Sequence, residues 1–101
     1  MTTAPILAEI VEAVEGVPAR GRLQAYLFGS ALRAESAWSD IDILVVCEAE
    51  EDGQLTRDTM SDLCMRYPID LVIMAVEEEV EFDFIRSEDC RWIAASRPRG
   101  V

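Results

Sequence analysis

The chain contains no histidine, and all nine of its basic residues are arginine. The missing imidazole excludes Ser-His and Cys-His catalysis and most zinc chemistry. Its three cysteines, Cys47, Cys64 and Cys90, are widely spaced and odd in number, so they form neither a disulfide framework nor a zinc knuckle. With no histidine to activate a thiol, none of them is assigned as a nucleophile. No apolar run reaches the length of a membrane span. The N-terminus has no basic region followed by an apolar stretch, so no signal peptide is expected, and the chain reads as soluble and cytoplasmic. Positive charge is scarce, and the formal net charge is −11. A protein that grips a phosphate backbone carries a basic face, so nucleic acid is not an expected partner. The chemistry left open must use carboxylates, hydroxyls, arginines, backbone groups and metal ions.

Half of the 101 residues are hydrophobic, enough for a true core, and the length fits one domain spanning residues 1–101. The acidic surface suits solubility or a basic protein partner. Ile6, Ile10, Val11 and Val14 recur at helical spacing, and Gly16, Pro18 and Gly21 end that helix. Leu23 to Phe28 is a short apolar run with aromatics, read as a strand that Gly29-Ser30 terminates. Ile41 to Val46 is rich in β-branched residues and is the clearest strand. Glu48 to Gly53 reads as an acidic loop and Gln54 to Arg66 as a helix. Pro68 opens a strand from Ile69 to Val76. Glu77 to Ser87 is assigned as helix, and Arg91 to Ala94 as a short edge strand. This order predicts an α/β (α+β) domain with a small mixed sheet of three or four strands flanked by helices. The connection from Gly29 to Asp40 is too short for a βαβ crossover, so the first two strands should be antiparallel.

The aspartates carry the chemistry. Asp is disfavoured in strands, yet Asp40 and Asp42 open an apolar strand and Asp70 opens the next. A spacing of two puts Asp40 and Asp42 on one face, with Cα atoms about 7 Å apart. Two such carboxylates could converge on a pair of divalent metals about 3.5–4 Å apart. If the two strands are neighbours, all three acids meet at one sheet edge. Magnesium would relieve their mutual repulsion, and its preference for carboxylate and phosphate oxygens implies a nucleotide polyphosphate as ligand. Gly29 lets a ligand approach the backbone, Ser30 adds a hydroxyl donor, and Arg33 could reach the same oxygens.

The string Gly29-Ser30, a loop containing Arg33, then Ser39-Asp40-Ile41-Asp42 entering a strand resembles the signature of the DNA polymerase β-type nucleotidyltransferase superfamily. It looks especially like the minimal nucleotidyltransferases, many of which are antitoxin partners of HEPN-type toxins. Pro68-Ile69-Asp70-Leu71-Val72 resembles that family's third-carboxylate strand. The resemblance spans about Leu23 to Met74, and departs from the pattern at Ala34, where a glycine is common. It implies a nucleotidyltransferase fold and a nucleotide site at Gly29, Ser30, Arg33 and Ser39. It also implies two Mg2+ ions held by Asp40, Asp42 and Asp70, with ATP as substrate. Asp70 would also help to orient or deprotonate the acceptor. The implied activity is transfer of AMP to a hydroxyl, with three acceptor arrangements. A HEPN-like toxin could present its own hydroxyl to this antitoxin, the favoured reading. A homo-oligomer or a separate subunit could complete a small-molecule, antibiotic-type transferase site. The domain could also act as a non-catalytic partner-binding module. Trp38 could stack on a base, although packing on its own domain is the favoured expectation, and Phe82, Phe84 and Trp92 read as core or interface residues.

Overall fold

The computed structural model of the chain describes residues 3–29 and 40–96. Its elements run α1 (Thr3–Glu15), β1 (Leu23–Phe28), β2 (Ile41–Cys47), α2 (Glu50–Arg66), β3 (Ile69–Ala75), α3 (Val76–Phe82), α4 (Phe84–Ser87) and β4 (Arg91–Ala95). The four strands form one mixed sheet in the order β3-β2-β1-β4. β1 is antiparallel to β2 and to β4, while β2 and β3 are parallel. Helix α2 supplies the crossover that a parallel pair needs.

The periodicities of the chain explain its layers. Ile6, Ile10 and Val14 fall four residues apart on α1 and are buried. Leu23, Ala25 and Leu27 take alternate positions on β1, and Ile41, Ile43 and Val45 on β2. With Met60 and Leu63 of α2 they form one core between the helices and a single face of the sheet. Burying each Ile or Leu completely contributes roughly 1.5–3 kcal/mol. Along β2 every residue is buried except Asp42. Leu44 and Val46 are buried too, yet lie outside the main core cluster, because they point to the opposite face. There α3 packs on β3 and β2.

Helix α2 begins at Glu50, so the acidic stretch through Gly53 is helical, not a loop. Glu50, Glu51 and Asp52 occupy its first turn, where the positive end of the helix dipole favours acids. Gly53 is tolerated there because the helix presses close to β3: an added Cβ would lie 3.1 Å from Ile73 Cγ2. Asp52 is fully buried. Its carboxylate accepts hydrogen bonds from the Arg20 and Gly21 backbone N–H groups, both at 2.9 Å, and ties the loop after α1 to the start of α2. Tyr67 donates its hydroxyl to Glu9 at 2.6 Å and joins the far end of α2 to α1.

The segment read as one helix from Glu77 to Ser87 is two. Asp83, with φ 53°, adopts the left-handed conformation between α3 and α4. Cys64 is only partly buried against the core. Among the described residues, no helix is long and apolar enough to cross a membrane.

Candidate active site

The antiparallel pairing of β1 with β2 sets Phe28 opposite Asp42. The parallel pairing of β2 with β3 sets Asp42 opposite Asp70. Residues opposite one another share a face, and neighbouring strands run about 4.8 Å apart. Asp42 and Asp70 therefore stand side by side at one end of the sheet, on the face away from α1 and α2. Asp40 lies just before β2 and is exposed, as is Asp70, whereas Asp42 is half-buried.

Gly29 is held at φ 77°, a conformation that side chains with a Cβ rarely adopt. A Cβ built there would also collide with Asp42 Oδ2 and lie 2.9 Å from Asp42 Cγ. Gly29 is thus required twice over, by its own backbone and by the carboxylate lying against it. The turn after β1 and the acid at the start of β2 form one packed unit.

A wall of this site was invisible in the sequence. Phe84 of α4 meets Phe28 edge-to-face, with ring centroids 5.0 Å apart and planes at 88°. Because Phe28 is the cross-strand partner of Asp42, the aromatic pair borders the carboxylate on its β1 side. The helix break at Asp83 permits this, and the Arg86 guanidinium holds the Asp83 carboxylate at 2.6 Å. The only sequence signal for that wall was two phenylalanines far apart in the chain.

Of the predicted site residues, Gly29, Asp40, Asp42 and Asp70 are brought to the same end of the sheet. Ser30, Arg33 and Ser39, together with Trp38, lie outside the described residues. Among the described residues, no three His, Cys, Asp or Glu side chains gather closely enough to hold a metal ion. The donor set nevertheless fits magnesium in kind. Asp42 and Asp70 are adjacent hard oxygen donors, the kind of ligand magnesium prefers. The thiols are poor candidates for chemistry. Burial pushes all three upward, and the Cys90 thiol, with Glu88, Glu79 and Asp89 nearby, rises to about 11.

The family model described as "Polymerase beta, Nucleotidyltransferase" matches residues 22–90. Comparison with curated proteins and with solved structures gave no match. The matched segment runs from the residue before β1 to the residue before β4 and contains every site residue placed above. A mixed four-stranded sheet flanked by helices is consistent with that match, and the chain belongs to the polymerase β-type nucleotidyltransferases.

Proposed function

We propose that the protein transfers AMP from ATP to a hydroxyl group on a partner protein, as an antitoxin modifying a HEPN-type toxin. The observation that carries the reading is the in-register pair Asp42 and Asp70, with Gly29 packed against Asp42, within the family-matched segment. The absence of histidine from the chain is compatible with it, since phosphoryl-type transfer depends on positioning and charge neutralisation.

Each residue has a physical task. Gly29, lacking a Cβ, lets the Asp42 carboxylate lie against the turn after β1. Asp40, Asp42 and Asp70 would hold magnesium, which supplies charge neutralisation on the phosphates when bound. Asp70, the most outward of the sheet carboxylates, orients the acceptor hydroxyl and takes its proton. The hydroxyl oxygen forms a bond to the α-phosphorus as the bond to the departing pyrophosphate breaks. The proton passes from Asp70 to solvent. Phe28 and Phe84 exclude water from one side of the reacting centre. The chain's excess of acid favours a basic protein as acceptor.

The test uses purified protein, magnesium, ATP labelled at the α-phosphate, and the product of the neighbouring gene. Label on that second polypeptide, lost with Asp42→Asn, is the expected result. Binding of the partner with no label would replace the reading by a contact-only module. Label on a small molecule with no partner bound would replace it by a small-molecule transferase subunit.

A further inference from the structure

Two short helices divide the outer face of the sheet. The chain leaves edge strand β3 at Ala75 and enters the other edge strand, β4, at Arg91. The register places Ala75 beside Cys47 at one end of the sheet and Arg91 beside Leu27 at the other. α3 and α4 must therefore cross the face diagonally, over β2, to the contact of Phe84 with Phe28. Asp42 and Asp70 lie on one side of the crossing.

On the other side lies a groove of about 330 Å3 lined by Arg22, Gln24, Tyr26, Val46, Glu48 and Val76. Its outer bank is Trp92, opposite Tyr26 across the β1–β4 pairing. The Trp92 indole N–H donates to Gln24 Oε1 at 2.6 Å, which fixes the ring at the groove's edge with 56% of the residue exposed. Its inner bank is α3, where Val76 and Val80, one turn apart, are 38% and 72% exposed. Large apolar side chains exposed together along a groove mark an interaction surface.

The surrounding charge selects the occupant. α3 carries Glu77, Glu78, Glu79 and Glu81 and no basic residue. Glu78 and Glu79 are engaged by the Ala75 and Ile85 backbone N–H groups, and Glu77 and Glu81 are exposed. The one base lining the groove, Arg22, is accompanied by Glu48. A second copy, with the same net charge of −11, is repelled, as are nucleic acid and anionic lipid. We infer that this groove docks a basic partner protein, through a segment that seats bulky apolar side chains between Val80 and Trp92 and sets Arg or Lys against Glu77 and Glu81. The inference deepens the reading of a protein acceptor by locating where that protein is held. Because the diagonal separates groove from carboxylates, docking leaves the transfer site open.

The probe is a short synthetic amphipathic helix with leucines on one face and arginines on the other, titrated into the Asp42→Asn chain and followed by NMR. Saturable shifts concentrated at Val80, Tyr26 and the Trp92 indole, weakened at least tenfold by Val80→Glu, are expected. The same peptide with serines for leucines should not compete. Equal binding of the serine peptide, shifts spread over the whole acidic surface, insensitivity to Val80→Glu, or self-association in the absence of peptide would each overturn the inference. Since Asp42→Asn removes transfer, this outcome is independent of the labelling test. Groove binding without a labelled protein leaves docking standing and transfer refuted; a labelled protein with no groove binding does the reverse.

Discussion

Gly29→Ala should damage the protein in two separable ways. The first is local. At φ 77° a residue with a Cβ meets its own carbonyl, which costs roughly 1–2 kcal/mol. The second is contact with Asp42, whose carboxylate occupies the space the new methyl needs, with Cγ only 2.9 Å away. The carboxylate must rotate off its present position or the turn must shift, an added cost of about 1 kcal/mol at the scale of a strained side chain. The total, about 2–3 kcal/mol, lowers Tm by several degrees per kcal/mol in a domain of this size. A double-mutant cycle with Asp42→Ala separates the parts. Without the carboxylate, Gly29→Ala should cost only its backbone share, because the remaining Asp42 Cβ position is 3.3 Å away and tolerable. Urea unfolding of the four proteins gives the coupling directly. An equal cost of Gly29→Ala in both backgrounds would refute the contact, and with it the claim that Gly29 and Asp42 form one unit. Transfer activity should fall with Gly29→Ala, since the carboxylate it displaces is one of the acids proposed to hold the metal.

Other outcomes follow from the same geometry. Asp52→Asn replaces a buried double acceptor with a group that must point an N–H at the Arg20 or Gly21 amide, and should cost about 2–3 kcal/mol in urea unfolding. Phe84→Ala removes the wall beside Asp42 and, because Phe84 is only half-buried, should cost about 2 kcal/mol, below the value for a fully buried ring; transfer should weaken while Phe82→Ala, at an exposed position, leaves stability unchanged. Cys90, raised from 9.0 to about 11, should react slowly with thiol reagents at pH 8 and titrate near 11. The folded state favours the neutral thiol, so its contribution to stability is complete below pH 9 and is lost as pH rises towards 11, which Cys90→Ser should flatten in unfolding measured across that range.

Local pattern made most of the elements readable. Ile6, Ile10 and Val14 announce α1 through their spacing, and Ile41 to Val46 announces β2 through β-branching. The acids stood out because Asp40, Asp42 and Asp70 break otherwise apolar strands. Two boundaries misled for identifiable reasons. Glu50 to Gly53 looks like a loop by composition, but the helix dipole welcomes its acids and tight packing on Ile73 needs its glycine. In Glu77 to Ser87, Val80 and Phe84 fit a helix while Phe82 and Phe84 alternate with acids as in a strand, and nothing in Asp83 itself signals that the backbone turns left-handed there.

By itself, the sequence determined the mixed α/β order, the exclusion of histidine and thiol chemistry, and the identity of the acids at the strand entrances. These depend on residue type and short-range spacing, which the chain states directly. Tertiary structure alone decided that Asp42 and Asp70 are neighbours in register, that Gly29 packs against Asp42, and that Phe84 closes on Phe28. It also decided that Tyr26, Val46 and Val76 line a groove on the far side of the α3–α4 crossing, with Trp92 paired across from Tyr26. Strand order and register arise from the burial of a shared core by residues distant in the chain, and no local pattern encodes which edge meets which.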